Sequence, residues 1–534
     1  MLRTAIVLTL VACSSSPAPA TKAPPAAPGG ARGDACTPDE SMRGTCGDGM
    51  LCMPVPGGYC TSFCGATGTA CPDGTCVESG RGGSLCAKSC ARDEDCRAGE
   101  GYVCDPVWRA CILPGIAAPK APLCAGKAAL AKRAFGEAQQ LTNDKTPGVY
   151  QFEPATTLAP NGSIVAVYTT GTRMGEPSEP RVLVGDRDAA MPKDREHAFD
   201  AWIARDRAGA LHAVWLAFDG PAAPEKHMAI DYAVSRDGGA TWSAPRAVQD
   251  PLDCPDEMPG CMDKPMIAAG AGDELYVAYA TEAERREGLR LRASHDGGKT
   301  FGASVAVMDG SYGDVAIDAK GAIHVVGGNG SPKSGPFGAV GQTIDYTVST
   351  DGGATFAPVR HVNAGDESIP FFFVNPGVEV DSARHHIYVT YARGGADAAW
   401  DIVLATSSDD GATWTRTIVN DDGHCAAHMV PMSALDPATG KLHVTWLDDR
   451  DGHGALAYAV CEPGGSKCGA NERASDAPFA AFSFVRHSGP WIGEYAGLVV
   501  DTDRRVLHAV WTQPVAGPNG PVSRVFHAQA ALSR

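Results

Sequence analysis

Residues 235–242 read SRDGGATW, and near-copies follow at 294–301 (SHDGGKTF), 349–356 (STDGGATF) and 407–414 (SSDDGATW). The copies recur 55 to 59 residues apart. Each offers the same chemistry. An Asp carboxylate can accept the N–H groups of a tight turn, Gly permits positive φ, a Thr hydroxyl adds a polar contact, and Trp or Phe supplies an apolar plug. Turn chemistry comes in identical quadruplicate; active sites do not. Asp237, Asp296, Asp351 and Asp409 are therefore read as structural corners between strands.

A longer repeat surrounds these corners. Short alternating strand pairs, joined by Gly-containing turns, end at Tyr168, Trp215, Tyr279, Gly327, Tyr391, Trp446 and Trp511. After each pair comes a third strand, such as MAIDYAVS or TIDYTVST, which in four units runs straight into the Asp corner, and a short fourth strand follows. Four antiparallel strands recurring at this period describe the blades of a β-propeller. The expectation is an all-β chain with seven four-stranded blades, six being the alternative. The last unit offers only three strands (EYAGLVV, VLHAVW, RVFHAQAAL), so FGEAQQLTND at 135–144 is expected to add the fourth and close the ring.

The four corners resemble the Asp-box, or bacterial neuraminidase repeat, and residues 125–534 resemble the sialidase-like superfamily of propellers. That resemblance implies three arginines on a sugar carboxylate, one of them in an (F/Y)-R-I-P motif, a Tyr–Glu nucleophile pair and an Asp acid/base. It also implies six blades. The matching place here reads Tyr150-Gln151-Phe152-Glu153-Pro154, with Glu153 where the Arg belongs. A carboxylate there would repel a sialic-acid carboxylate.

Ligands of propellers sit at the channel mouth. Arg173, Arg393 and Arg450 each follow a second strand and are candidates for an anion clamp; the competing expectation pairs them with nearby Asp397, Asp449 or Asp451. Glu153, Asp200, Asp263, Lys264, Asp314, Asn375, His428, Glu494 and Tyr495 recur near the starts of first strands. Together they predict an acidic mouth with one Lys and one His, suited to a cation, a hydroxyl-rich glycan or Ca²⁺, although no calcium motif is present. Glu153, Glu494 and Tyr495 are the catalytic candidates, with Tyr495 read as packing. His212, His324, His386, His443 and His508 share one second-strand position, too far apart for one metal ion; each is expected to bond a neighbouring blade.

The chain opens MLRTAIVLTLVAC. One Arg and a short apolar run lead to Leu10-Val11-Ala12-Cys13, which resembles the lipobox of bacterial lipoproteins. Residues 1–13 are read as a lipoprotein signal with Cys13 lipidated, and 14–35, rich in Pro, Ala and Ser, as a spacer. Ser14 resembles the sorting residue of outer-membrane lipoproteins. Of 19 cysteines, 13 lie at 36–124, with no C-x-x-C pair and no His. That excludes a zinc module and predicts a disulfide-rich one over 36–124. Cys254 with Cys261, and Cys461 with Cys468, frame short loops as local staples. Parity leaves Cys124 to pair with Cys425. The formal charge of −17 and the absence of basic runs argue against nucleic acid.

The functional expectation is an envelope lipoprotein, monomeric and held to the outer membrane by its lipid alone, on the periplasmic or the outer side. Its propeller at 125–534 binds a glycan or protein without cofactor or catalysis. The alternative is an exported sialidase-like glycoside hydrolase with a rearranged site.

Overall fold

The computed structural model describes residues 30–37, 45–47, 50–53, 57–64, 71, 74–79, 83–105, 109–112, 124, 130–132, 134–142, 150–171, 177–219, 227–255, 261–281, 287–310, 312–329, 343–367, 369, 375–394, 400–448, 450, 455–477, 479, 493–517 and 520–533. The proposed signal, including Cys13, lies outside them, as does Arg173. Contacts divide the chain into two compact units, Met1–Ser62 and Phe63–Arg534.

In the first unit, strands Leu51–Met53 and Tyr59–Thr61 pair. Crossed disulfides Cys36–Cys52 and Cys46–Cys60 hold them. The start of the second unit repeats this plan, with Val103–Asp105 paired to Ala110–Ile112 and crossed disulfides Cys90–Cys104 and Cys96–Cys111. Cys71–Cys86 adds another bridge. Segments with so little apolar surface rely on cross-links that restrict the unfolded chain. Cys254–Cys261, Cys461–Cys468 and Cys124–Cys425 form as parity suggested.

Seven four-stranded sheets follow. Their first strands are Tyr150–Leu158, His197–Arg205, Met262–Ala269, Tyr312–Ile317, Gly377–Asp381, His428–Asp436 and Gly497–Asp501. Each first strand lies against the next, and the seventh against the first, so these strands ring a central channel. In the seventh blade, Val506–Gly517 and Gly520–Ala531 form a long hairpin whose outer partner is Gln139–Gln140, with Phe526 opposite Gln140. The expected closure is present. It completes the seventh sheet, so each blade has four strands and keeps only a short outer edge.

Side chains join the blades. Second-strand residues are almost wholly buried, and the largest fully buried side chains include Trp215, Trp446, Trp511, Tyr168 and Tyr279. These aromatics end the second strands, which explains why they recur in the sequence. Turns between first and second strands form a polar belt. Arg505 pairs with Asp436 at 2.7 Å, Arg384 donates to the carbonyls of Pro437 and Ala438, and Ala319 N donates to Ser382 Oγ at 3.0 Å.

The four Asp corners superpose in chemistry. The Ser hydroxyl donates to Asp Oδ1 at 2.8 Å in every copy. The Thr hydroxyl donates to Oδ2 at 2.6 Å, and the second glycine N donates to the Ser hydroxyl. These bonds, the Thr hydroxyl's first, hold the Asp237, Asp351 and Asp409 carboxyls down near a pKa of about 2. The second glycine has a second reason to be glycine: a Cβ at Gly298 or Gly411 would strike Tyr232 or Tyr346 of the preceding blade. The plugs behave alike. Phe301 meets Tyr232 edge-on at 5.7 Å and Trp414 meets Tyr346 at 5.4 Å.

The histidine expectation needs correcting. His212, His324 and His443 bond Tyr232, Tyr346 and Tyr458 through Nδ1 at 2.7–2.8 Å, and His508 bonds His527 at 3.0 Å. All these partners lie on the third strand of the same blade, because the ring points across the ladder and not across the inter-blade gap. His386 is also out of register: Tyr388, not His386, stands opposite Glu379 and Thr406 where the other histidines' equivalents pair.

Candidate functional site

First strands carry a second repeat, in backbone rather than sequence. In four blades two residues of the first strand oppose one aromatic of the second: Glu153-Pro154 at Tyr168, Asp200-Ala201 at Trp215, Lys264-Pro265 at Tyr279 and Val430-Pro431 at Trp446. The first residue of each bulge is left-handed, with φ of 58°, 52°, 49° and 55°. Bulges re-aim side chains, and a non-glycine residue held at such φ costs on the order of 1–3 kcal/mol. Three of these bulges place Glu153, Asp200 and Lys264 together.

Lys264 is the centre. Its Nζ lies 2.7 Å from Asp200 Oδ1, 2.9 Å from Glu494 Oε2 and 3.8 Å from Glu153 Oε1. It also stands 6.0 Å over the Tyr495 ring. The Glu494 N–H donates to Glu153 Oε1 at 3.3 Å. Asp263 is held by the Lys264 N–H at 2.9 Å. Burial opposes the Lys264 charge, yet Asp200, Glu494 and Glu153 hold it as an ammonium. Burial also pushes Glu153 well above the carboxylate range and Asp263 up to about 7. Four carboxyl groups share one ammonium, so part of the cluster keeps its protons. Glu153 is 2 % exposed and Glu494 5 %.

Farther round the channel, Asp314 accepts the N–H groups of Val315 and Val378 at 2.8 and 2.9 Å, and burial raises its carboxyl. Glu379, which the sequence analysis missed, faces it; burial and Asp314 push Glu379 up to about 8. The signal was available, since Glu379 lies two residues beyond the glycine that starts its first strand. Asn375 donates to the Glu494 carbonyl at 2.8 Å. Between Lys264, Asp314 and Ser433 is a cavity of about 40 Å³, room for about three waters.

Other candidates are already engaged. Tyr495 is 4 % exposed, packs 5.1 Å from Trp202 and donates to the Ala201 carbonyl. Burial raises its phenol well above the usual value, so it is a packing residue, as expected. Two of the three clamp candidates are engaged, and the third, Arg173, lies outside the described residues. Arg393 bridges Glu367 and Asp401 at 3.0 and 3.1 Å. Arg450 bridges Asp448 and Asp421 at 2.8 and 2.6 Å and donates to Asn471. The acids first expected as their partners, Asp397, Asp449 and Asp451, lie outside the described residues. The chain thus supplies its own anions.

His428 is corrected too. It does not face the mouth but is fully buried, 3.0 Å from Asp422 and 3.2 Å from Asp448. Against the effect of burial, these two carboxylates push its pKa up to about 10. Among the described residues, the groups spaced for a metal ion all centre on cysteines, and those thiols are in disulfides. Where a calcium ion would meet the channel carboxylates, Lys264 Nζ stands instead.

No protein-family model matches this chain, and no curated protein is significantly similar to it. Solved structures do resemble it. A protein of unknown function from Dyadobacter fermentans shows 11 % identity and a TM-score of 0.45, over 75 % of this chain and 99 % of that one. A sialidase from Streptococcus pneumoniae shows 11 % identity and 0.42, over 59 % and 67 %. An alpha-L-arabinanase from Penicillium chrysogenum, complexed with arabinobiose, shows 14 % and 0.40, over 62 % and 92 %.

Proposed function

We propose that the chain is a non-catalytic binding propeller of a bacterial cell envelope, exported and anchored through lipid on Cys13, and that it takes a glycan or protein ligand at its channel face. The observation that carries the non-catalytic part is saturation. Lys264, Arg393 and Arg450 are each neutralised by the chain's own carboxylates at 2.6–3.1 Å. A sialidase-type reaction needs free cations for the substrate carboxylate, and a glycosidase needs two carboxyl groups open to the glycosidic bond. Here the carboxyl pair of Asp200 and Glu494 is filled by an ammonium. Glu153, whose carboxyl burial pushes well above the carboxylate range, is a feature a hydrolase would share.

The test is incubation of the purified chain with a panel of fluorogenic glycosides, including a sialoside, beside glycan-array binding. Binding without turnover is the expected result. Turnover abolished by Glu153→Ala or Glu494→Ala overturns the reading in favour of an exported glycoside hydrolase. Anchoring is tested separately: radiolabelled palmitate should enter the wild-type chain and not Cys13→Ser.

A further inference from the structure

The fourth strand of a blade runs beside the third-to-fourth-strand corner of the next blade, and in four gaps it gives that corner a polar partner. Arg187 of blade one donates to the Gly239 carbonyl at 2.5 Å. Arg360 of blade four donates to the Asp410 carbonyl at 3.0 Å, and Thr417 Oγ1 of blade five to the Gly465 carbonyl at 2.7 Å. Arg246 of blade two lays its guanidinium over Tyr232 and over Phe301, the plug of the next corner, 5.0 and 5.6 Å from the ring centres. Arg246, Arg360 and Thr417 occupy one position. They stand opposite Tyr232, Tyr346 and Leu404, each three places before the corner serine. In blade three that position holds Val305, opposite Leu291.

Val305 is short and has no atom that can donate to the Gly353 carbonyl of the blade-four corner. A groove of about 400 Å³ opens at this gap, walled by Gly302, Ala303 and Val305 on blade three and by Asp351, Gly352 and Gly353 on blade four. Ligand pockets run from about 300 to 1,000 Å³, so the space is larger than a lone ion needs. Asp296 lines the same groove. Hydroxyl and amide donors of their own corners hold the Asp296 and Asp351 carboxyls below the ordinary carboxylate range, so the groove meets solvent with two ionised acids. Where the neighbouring gaps contain a guanidinium, this one contains acceptors and room.

We propose that this groove receives an arginine of a protein partner, whose guanidinium takes the place that Arg246 and Arg360 hold in blades two and four. The chain's own gaps show what such a corner accepts. A guanidinium is planar, weakly hydrated and rich in donors, so it can bond a corner carbonyl and lie on an aromatic plug at once. An ammonium is a compact, strongly hydrated point charge and fits that task less well. Asp296 and Asp351 add attraction for a cation, and the formal charge of −17 favours basic partners in general. Arginine is also among the residues that anchor protein interfaces. The volume left around one guanidinium takes the residues that flank it in a chain. The groove lies on the rim of the Asp corners, so the inference is independent of any ligand at the channel face.

The experiment is an NMR titration of the full chain with a capped Gly-Arg-Gly peptide and, separately, with its neutral counterpart carrying citrulline. The expected result is a saturable shift of the Thr300, Gly352 and Gly353 amide signals with the arginine peptide, and binding weaker by about tenfold or more with the citrulline peptide. V305R gives blade three the side chain that blades two and four already have, so it should fill the groove from within and abolish the shift. No saturable shift in the wild type overturns the proposal. Equal binding of the two peptides overturns the guanidinium assignment, and leaves a groove for neutral donors such as sugar hydroxyls. A shift that survives in V305R overturns its placement beside Val305. Should V305R not fold, Ala303→Arg, at an exposed position of the same wall, provides the block.

Discussion

The Asp corners and the channel bulges are two repeats of opposite kind. The corners repeat in sequence and geometry, with every Ser, Asp, Gly and Thr bond made the same way four times. The bulges repeat only in backbone: four of them share a left-handed first residue, but that residue is Glu153, Asp200, Lys264 or Val430. Turn chemistry has one good solution, so identical residues recur. At the channel one strained frame presents different charges from each blade. Side-chain divergence on a shared frame is the better pointer to function, and identity the better pointer to fold.

The sharpest way to break this comparison is to empty the channel of its cation. Lys264→Met leaves Asp200, Glu494 and Glu153 around an apolar tip. Losing one partner of a buried pair costs about 3–5 kcal/mol, read from the denaturant midpoint. Neutralising the neighbours as well, with Asp200→Asn and Glu494→Gln, should recover most of it. A Lys264→Met chain as stable as wild type would show that the cluster is solvated and that its charges are ordinary surface charges.

A comparable effect is expected at His428, resolved by pH. Its folded pKa, about 10, lies above the ordinary 6.5. A raised pKa contributes stability that is fully present below 6.5 and is lost as pH rises through about 10. The difference corresponds to roughly 5 kcal/mol. Unfolding midpoints between pH 6 and pH 10.5 should therefore fall in the wild type and stay flatter in His428→Asn, which starts lower. Parallel curves for the two chains would mean that His428 is neutral and that Asp422 or Asp448 carries a proton.

These two clusters also mark where the sequence stopped being informative. Blade number, ring closure through Gln139–Gln140, two local disulfide staples and the long-range Cys124–Cys425 bridge were readable, because each depends on spacing, alternation or parity. The five channel residues Glu153, Asp200, Asp263, Lys264 and Glu494 were readable as a group for the same reason, since all lie near the starts of first strands. What they do to one another was not. Lys264 draws its partners from blades one, two and seven, and Arg450 reaches Asp421 and Asn471 across loops. Such pairings depend on the direction a bulge gives a side chain, which has no local pattern. A clue passed over was proline after the first bulge residue, at Pro154, Pro265 and Pro431, which recurs where no turn was expected.

The corners can be probed inside one motif. Gly411 has φ of 79° and a Cβ there would come 2.4 Å from Tyr346 Cε1. Gly238, one place earlier in its own corner, has φ of 68° and open space around it. In the fourth corner that earlier place is taken by Asp410 with φ of 55°, which demonstrates that a side chain fits. Gly411→Ala should cost about 2–4 kcal/mol, from strain plus overpacking, and Gly238→Asn less than about 1 kcal/mol. Equal costs would mean that positive φ alone selects glycine and that the contact with the preceding blade is incidental.

The smallest effect tests equivalence itself. Asp237, Asp351 and Asp409 lie at the surface, and their hydroxyl and amide partners hold each near a pKa of about 2. A depressed carboxyl contributes stability that is present above 3.8 and fades as pH falls through about 2. Asp→Asn changes, made one at a time, should lower the melting temperature slightly and by the same amount at each corner. Carboxyl chemical shifts followed by NMR should titrate together. A corner that titrates near the ordinary value, or whose substitution stands apart from the others, is not a structural corner of the same kind. That corner would then have been shaped by something it binds, which would move the search for a ligand from the channel to the opposite rim.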